Sequence, residues 1–167
     1  MSWKRGVLIG VAVIGLGITW AVLNDPTRKI HRRLEALANL AHVSGKEGPA
    51  KTLQRTTAIV GFFTESCHVD FGPMAPEITT RGELRGMIAQ LRMHADTIDI
   101  KIRGKSVHLA PGKKAATVDL MLEGTLKIGS EYMNEFREYQ LHMEKDGGEW
   151  FIARIDEQRS ITTPDQL

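Results

Sequence analysis

The sequence is short of the residues that most often build reactive centres. Among 167 residues there is one cysteine, Cys67, which leaves no partner for an internal disulfide and no thiolate cluster for zinc. A lone thiol at the start of a strand reads as a small buried hydrophobe. The six histidines (His31, His42, His68, His94, His108 and His142) fall at no i, i+3 or i, i+4 spacing from one another, so no metal site is expected. His94 instead suits the end of a helix, where the dipole favours it. No phosphate loop, Gly-x-Ser-x-Gly or dinucleotide fingerprint is present, and no cofactor is expected. Acidic residues are missing from the first 24 positions: all 20 Asp and Glu lie at or after Asp25, as do all but Lys4 and Arg5 of the 22 Lys and Arg. The chain beyond residue 24 is therefore formally neutral, which excludes a general electrostatic drive toward nucleic acid.

What the first 24 residues do have is an apolar run. "VLIGVAVIGLGITWAVL", residues 7–23, is uncharged and spans about 25 Å as a helix, near the lower limit for crossing a bilayer. Trp3 and Trp20 sit near its ends, where amphipathic rings favour the headgroup level. A cleaved signal peptide is the competing reading, but Thr19-Trp20-Ala21 is a poor cleavage pattern and the run continues past it. The expectation is a basic tail over 1–6, a single-pass anchor over 7–23, a domain over 24–158 and a tail over 159–167. Basic residues flank both ends of the anchor, and the count of Arg28, Lys29, Arg32 and Arg33 against Lys4 and Arg5 favours an exported N-terminus. A short basic tail before a first apolar segment nevertheless resembles a signal anchor, so the expectation is a cytoplasmic N-terminus with the domain exported.

Asp25-Pro26 signals a helix start, and Ile30, Leu34, Leu37, Ala38 and Ala41 form one apolar stripe that should stop near Gly45. Arg28, Lys29, Arg32 and Arg33 fall largely off that stripe, where they are candidates for contact with anionic headgroups. A second helix is expected over 49–64, with Leu53, Thr56, Val60 and Phe63 on one side. A third, capped by Thr79 or Thr80, should run to His94. Then the period changes to two. Ile98, Ile100 and Ile102 alternate with charged residues, Gly104 suggests a bulge, and Val118, Leu120 and Leu122 continue the alternation. "EYQLHMEKDGGEWFIARID" closes the chain's pattern as strand, Asp146-Gly147-Gly148 turn and strand. The fold class is α+β, a curved antiparallel sheet wrapped around about three helices.

That order of elements resembles the nuclear transport factor 2-like (SnoaL-like, ketosteroid-isomerase-like) cone superfamily. "TAIVGFFTESCHVDFG" resembles its second helix entering the first strand, "TRGELRGMIAQL" its third helix, and the closing hairpin its last two strands. The resemblance implies a cone over about residues 26–158. It does not choose among isomerases, dehydratases, hydrolases, adaptors and membrane-tethered assembly proteins. An isomerase-type site needs a carboxylate base in an apolar cavity and donors for an oxyanion. By position the resemblance points to Asp70, yet if Val69 and Phe71 pack inward Asp70 points out, and Asp119 has the same fault. Tyr139 shares a face with Arg137, Leu141 and Met143; Arg154 shares one with Trp150 and Ile152. Arg137, Tyr139 and Arg154 are thus the ligand-binding candidates, suited to an anionic or carbonyl-bearing molecule, with Asp70, Tyr139 and Arg154 the weak catalytic ones. The alternative is that Tyr139 packs in the core and the arginines snorkel.

The expected function is a membrane-tethered, non-enzymatic binding or assembly module on the outer face of a bacterial inner membrane. Its partners would be the bilayer, other envelope proteins or a second copy, and its interior would be filled by side chains. A lyase, isomerase or ligand-binding protein using the cone cavity is the other reading.

Overall fold

The computed structural model describes residues 25–72 and 76–158, so the expected anchor over 7–23 and the tail over 159–167 lie outside the described residues. Among the described residues no helix is long and apolar enough to cross a membrane.

Helix α1, Pro26–Ala41, begins as expected: the Asp25 carboxylate accepts a hydrogen bond from the Thr27 amide at 3.0 Å, and Pro26 occupies the first turn. It buries Ile30 and Leu34. It stops at His42, before Gly45, because Val43–Ser44 (β1) turns away to pair with the next-to-edge strand, Val43 opposite Ile98. Helix α2, Pro49–Val60, also ends early, and strand β2, Phe63–Asp70, starts at Phe63. Its buried side is Thr52, Thr56, Ile59 and Val60, whereas Leu53, expected on the apolar side, is exposed. Helix α3, Arg81–His94, carries a full capping box: the Thr80 hydroxyl accepts from the Glu83 amide while the Glu83 carboxylate accepts from the Thr79 and Thr80 amides.

Strands β3 (Thr97–Leu109), β4 (Ala115–Ile128), β5 (Glu131–Asp146) and β6 (Glu149–Gln158) form an antiparallel meander. The short turn Pro111–Lys113 joins the first two, and Gly147 and Gly148, both at positive φ, make the last turn. The sheet order is β1-β3-β4-β5-β6-β2, with β2 parallel to β6 and every other pairing antiparallel. The bulge anticipated near Gly104 is there, with Arg103 the extra residue between Ile102 and Gly104.

The three helices lie in the concave face of this sheet. The core at the α1 N-terminal end is dense, with Ile30, Val60, Cys67, Val69, Val118, Met143, Trp150 and Ile152 each at most 2% exposed. A smaller cluster, Val43, Ala95 and Ile98, sits at the far end. Between the two the interior is not filled.

Candidate functional site

A cavity of about 490 Å³ runs through the cone. The expectation of an interior filled by side chains is corrected here: the inward residues of β3, β4 and β5 line a hollow between the sheet and the helices. Leu34, Leu37 and Ala38 of α1, Leu84, Met87 and Ile88 of α3, and Ile100, Ile102, Leu120 and Leu122 of the sheet form its walls. Gly124 adds open space, since a Cβ built there would meet nothing within 4 Å. The mouth lies at the end where α1 and α3 finish and β4 turns into β5. There Leu91 and Met133 are 36% and 44% exposed although both line the cavity.

One strand supplies the polar edge. On β5, Met133, Glu135, Arg137, Tyr139 and Leu141 alternate onto the concave face opposite Leu126, Gly124, Leu122, Leu120 and Val118. Tyr139 stands edge-on to Phe71, ring centroids 6.5 Å apart at 86°. Its hydroxyl has no hydrogen-bond partner among the described residues. Burial pushes the Tyr139 phenol above its ordinary value, with the Glu157 carboxylate adding in the same direction, so the group is a neutral donor and acceptor. Arg137 is held by two carboxylates. It pairs with Glu157 from the neighbouring strand and with Glu135 at 3.1 Å, and the hydrogen bonds to Glu157 and then Glu135 raise its pKa. The Glu157 carboxylate occupies the space beside Gly72. With φ +92° and a Glu157 oxygen 1.5 Å from where a Cβ would be, only glycine fits.

The other charged lining residue, Arg92, is buried and faces away from any ligand role. It donates to Glu47 at 2.8 and 3.1 Å and to the carbonyls of Leu40, Ala41 and His42 at the end of α1. Sequence pattern gave no sign of this residue, because an arginine on a helix ordinarily reads as solvated.

Tyr139 and Arg137 therefore share the cavity edge, as expected from their common face. Arg154 does not join them. Ala153 is an extra residue between Ile152, opposite Met143, and Arg154, opposite His142, so the strand changes face. Arg154 becomes exposed on the convex side, chelating Asp156 at 2.7–2.8 Å, and Glu157 takes the inward position. The signal was the spacing Ile152-x-x-Ile155, which breaks a period of two. Asp70 also lies off the cavity, as the alternation required. Val69 is fully buried, Phe71 lines the cavity, and the Asp70 carboxylate accepts the Gly72 amide at 2.8 Å. Asp119 is on the convex face too, accepting from Gln140 at 2.9 Å. Of the four basic residues on α1, Arg28 and Arg32 are exposed and Lys29 half-buried. Arg33 is turned inward between the rings of Phe62 (4.6 Å) and Phe151 (4.9 Å), with Glu149 at 2.8 Å. Among the described residues no cluster of His, Cys, Asp or Glu could hold a metal ion.

No family model matches the chain, and no curated protein matches it significantly. Solved structures do. A nuclear transport factor 2-like protein with a cystatin-like fold from Novosphingobium aromaticivorans superposes with a TM-score of 0.64 at 12% identity, covering 89% of this chain and 90% of that one. A protein from the same organism that carries a provisional scytalone dehydratase name gives 0.65 at 13% identity over 79% and 82%. The Kfla4162 protein from Kribbella flavida gives 0.65 at 12% identity over 79% and 88%. The chain thus has the cone fold of the nuclear transport factor 2-like and scytalone dehydratase-like proteins.

Proposed function

We propose that this chain is a binding protein which holds an apolar small molecule in its cone cavity, and that it does so without turning the molecule over. The observation that supports this best is the cavity itself: about 490 Å³, within the range of small-molecule sites, with mostly apolar walls and a polar edge built mainly on β5. Burying an apolar ligand there gains roughly 25 cal/mol per Å² of surface removed from water, and the Tyr139 phenol, without a hydrogen-bond partner among the described residues, supplies orientation. Turnover is less well supported. Asp70, the base that sequence position favours, points away from the cavity, and Glu135 and Glu157 are engaged by Arg137.

The proposal keeps a membrane setting for this module, with residues 7–23 as the anchor and the domain in the periplasm. The chain enters the domain at the N-terminus of α1, while the mouth lies by its C-terminus, about 24 Å along the helix. A tether at that end leaves the opening free for a diffusing ligand or a partner that delivers one. Native mass spectrometry of the full chain extracted in lipid nanodiscs tests the binding role. A bound small molecule, lost on denaturation and displaced by an added apolar compound, is the expected result; a mass equal to the bare chain before and after addition of apolar compounds would overturn it. Protease treatment of intact spheroplasts tests the placement, which fails if the domain is protected.

A further inference from the structure

The polar edge carries more carboxylate than guanidinium, and this bears on what head group a ligand can have. The row on β5 runs Glu135, Arg137, Tyr139 in steps of about 6.8 Å, with Glu157 directly across from Tyr139. Arg137 is the cation that an acidic ligand would seek, yet Glu157 and Glu135 already take its Nη1, Nη2 and Nε groups. The trio sums to one negative charge at neutral pH. Glu157 lies beside the backbone of Gly72, and its side chain is only 10% exposed and paired with Arg137. Arg154, which could have reversed the sign, is on the other face with Asp156. Arg92, the remaining charged lining residue, is spent on Glu47 and three carbonyls. Phe71 and Tyr139 meet nearly at right angles beside the trio and offer two ring surfaces to a positive group.

Resting on the binding role proposed above, we propose that the cavity is selective for charge: it takes hydrophobic amines, the amine hydrogen-bonded to the Tyr139 hydroxyl within the field of Glu157 and Glu135, and rejects hydrophobic acids of the same shape. Burial is the main cause of the rise in the Tyr139 pKa; Glu157 adds to it, Arg137 opposes it, and Glu135 and Asp70 add less.

The test uses one apolar body with three heads: 2-naphthylmethylamine, 2-naphthylmethanol and 2-naphthoate, each titrated into the full chain in nanodiscs against empty nanodiscs. The amine is expected to bind at least tenfold more tightly than the acid, with the alcohol between them. In Glu135→Gln the amine-to-acid ratio should fall by about threefold, because the lost charge stands two steps of the strand from Tyr139 and is more than half exposed to solvent. Thermal unfolding of the variant confirms that the fold is kept. An acid that binds as tightly as the amine, an alcohol that exceeds the amine, or a ratio unmoved in Glu135→Gln would overturn the charge selectivity. Binding by none of the three compounds would instead overturn the binding role on which it rests.

Discussion

Arg92 is the most informative single position for stability. Its side chain is 1% exposed and Glu47's is 4%, so both ions are out of water. The guanidinium makes two hydrogen bonds to Glu47 and three to the last carbonyls of α1, which have no helical partner of their own. In Arg92→Met the volume is nearly kept, so the loss is electrostatic. Glu47 would remain buried with only Lys51 at 3.4 Å and Arg55 at 3.7 Å, both farther and more exposed. Removing one partner of a buried pair costs about 3–5 kcal/mol. For a domain of roughly 130 residues that lowers the unfolding midpoint by about 11–18 °C. The double variant Glu47→Met/Arg92→Met removes the stranded carboxylate as well, and should recover about 1–2 kcal/mol of the loss. Circular dichroism melts of the wild type, both single variants and the double complete the cycle. A loss under about 1 kcal/mol in Arg92→Met, or a double variant equal to the sum of the singles, would refute the coupling.

Other outcomes follow from the same contacts. Gly72→Ala should destabilise the fold and release Arg137 from Glu157, read as a lowered melting midpoint that Glu157→Ala partly restores, since the added Cβ would overlap the carboxylate. Cys67 is fully buried and burial pushes its thiol above the ordinary range, so it should resist a thiol reagent until the protein is unfolded; rapid labelling of the folded chain contradicts this burial. Asp99, held down by Lys101, Glu83, by the Thr79 amide, and Asp156, by Arg154, all bind protons less readily folded than unfolded. Their contribution is present above pH about 4, the unfolded carboxylate range, and is lost as pH falls through the lower folded values, so the melting midpoint should fall steadily below pH about 4. Thr80→Ala, which removes the capping hydroxyl, should cost about 1 kcal/mol.

The elements were legible in the sequence because each carries a local cause. Asp25-Pro26, Thr80 with Glu83, Asp146-Gly147-Gly148 and the alternating isoleucines of β3 all found the structures they announce. The helix C-termini were less legible: α1 yields at His42 because pairing of Val43 with Ile98 is a contact between distant residues, which no local pattern encodes. Tyr139 and Arg137 were placed correctly, since a period of two survives along β5. Arg154 was not, because one inserted residue in β6 reverses every face beyond it. The cavity was invisible in principle. Inward leucines and isoleucines look the same in sequence whether they meet across the core or stand apart around a hollow, and sheet curvature decides which. Arg92 and Glu47 were missed for a related reason: they match each other only in three dimensions.

The cavity is the feature on which the functional account stands, and filling it is the most direct measurement. Leu122 lines it opposite Arg137 and is only half-buried, so Leu122→Trp should occupy the space with little strain. Calorimetric titration of 2-naphthylmethanol into the full chain in nanodiscs should give a Kd on the order of 10 µM for the wild type, and a loss of at least tenfold in Leu122→Trp at an unchanged melting midpoint. Equal binding by both proteins, or no saturable binding by the wild type, would contradict the account.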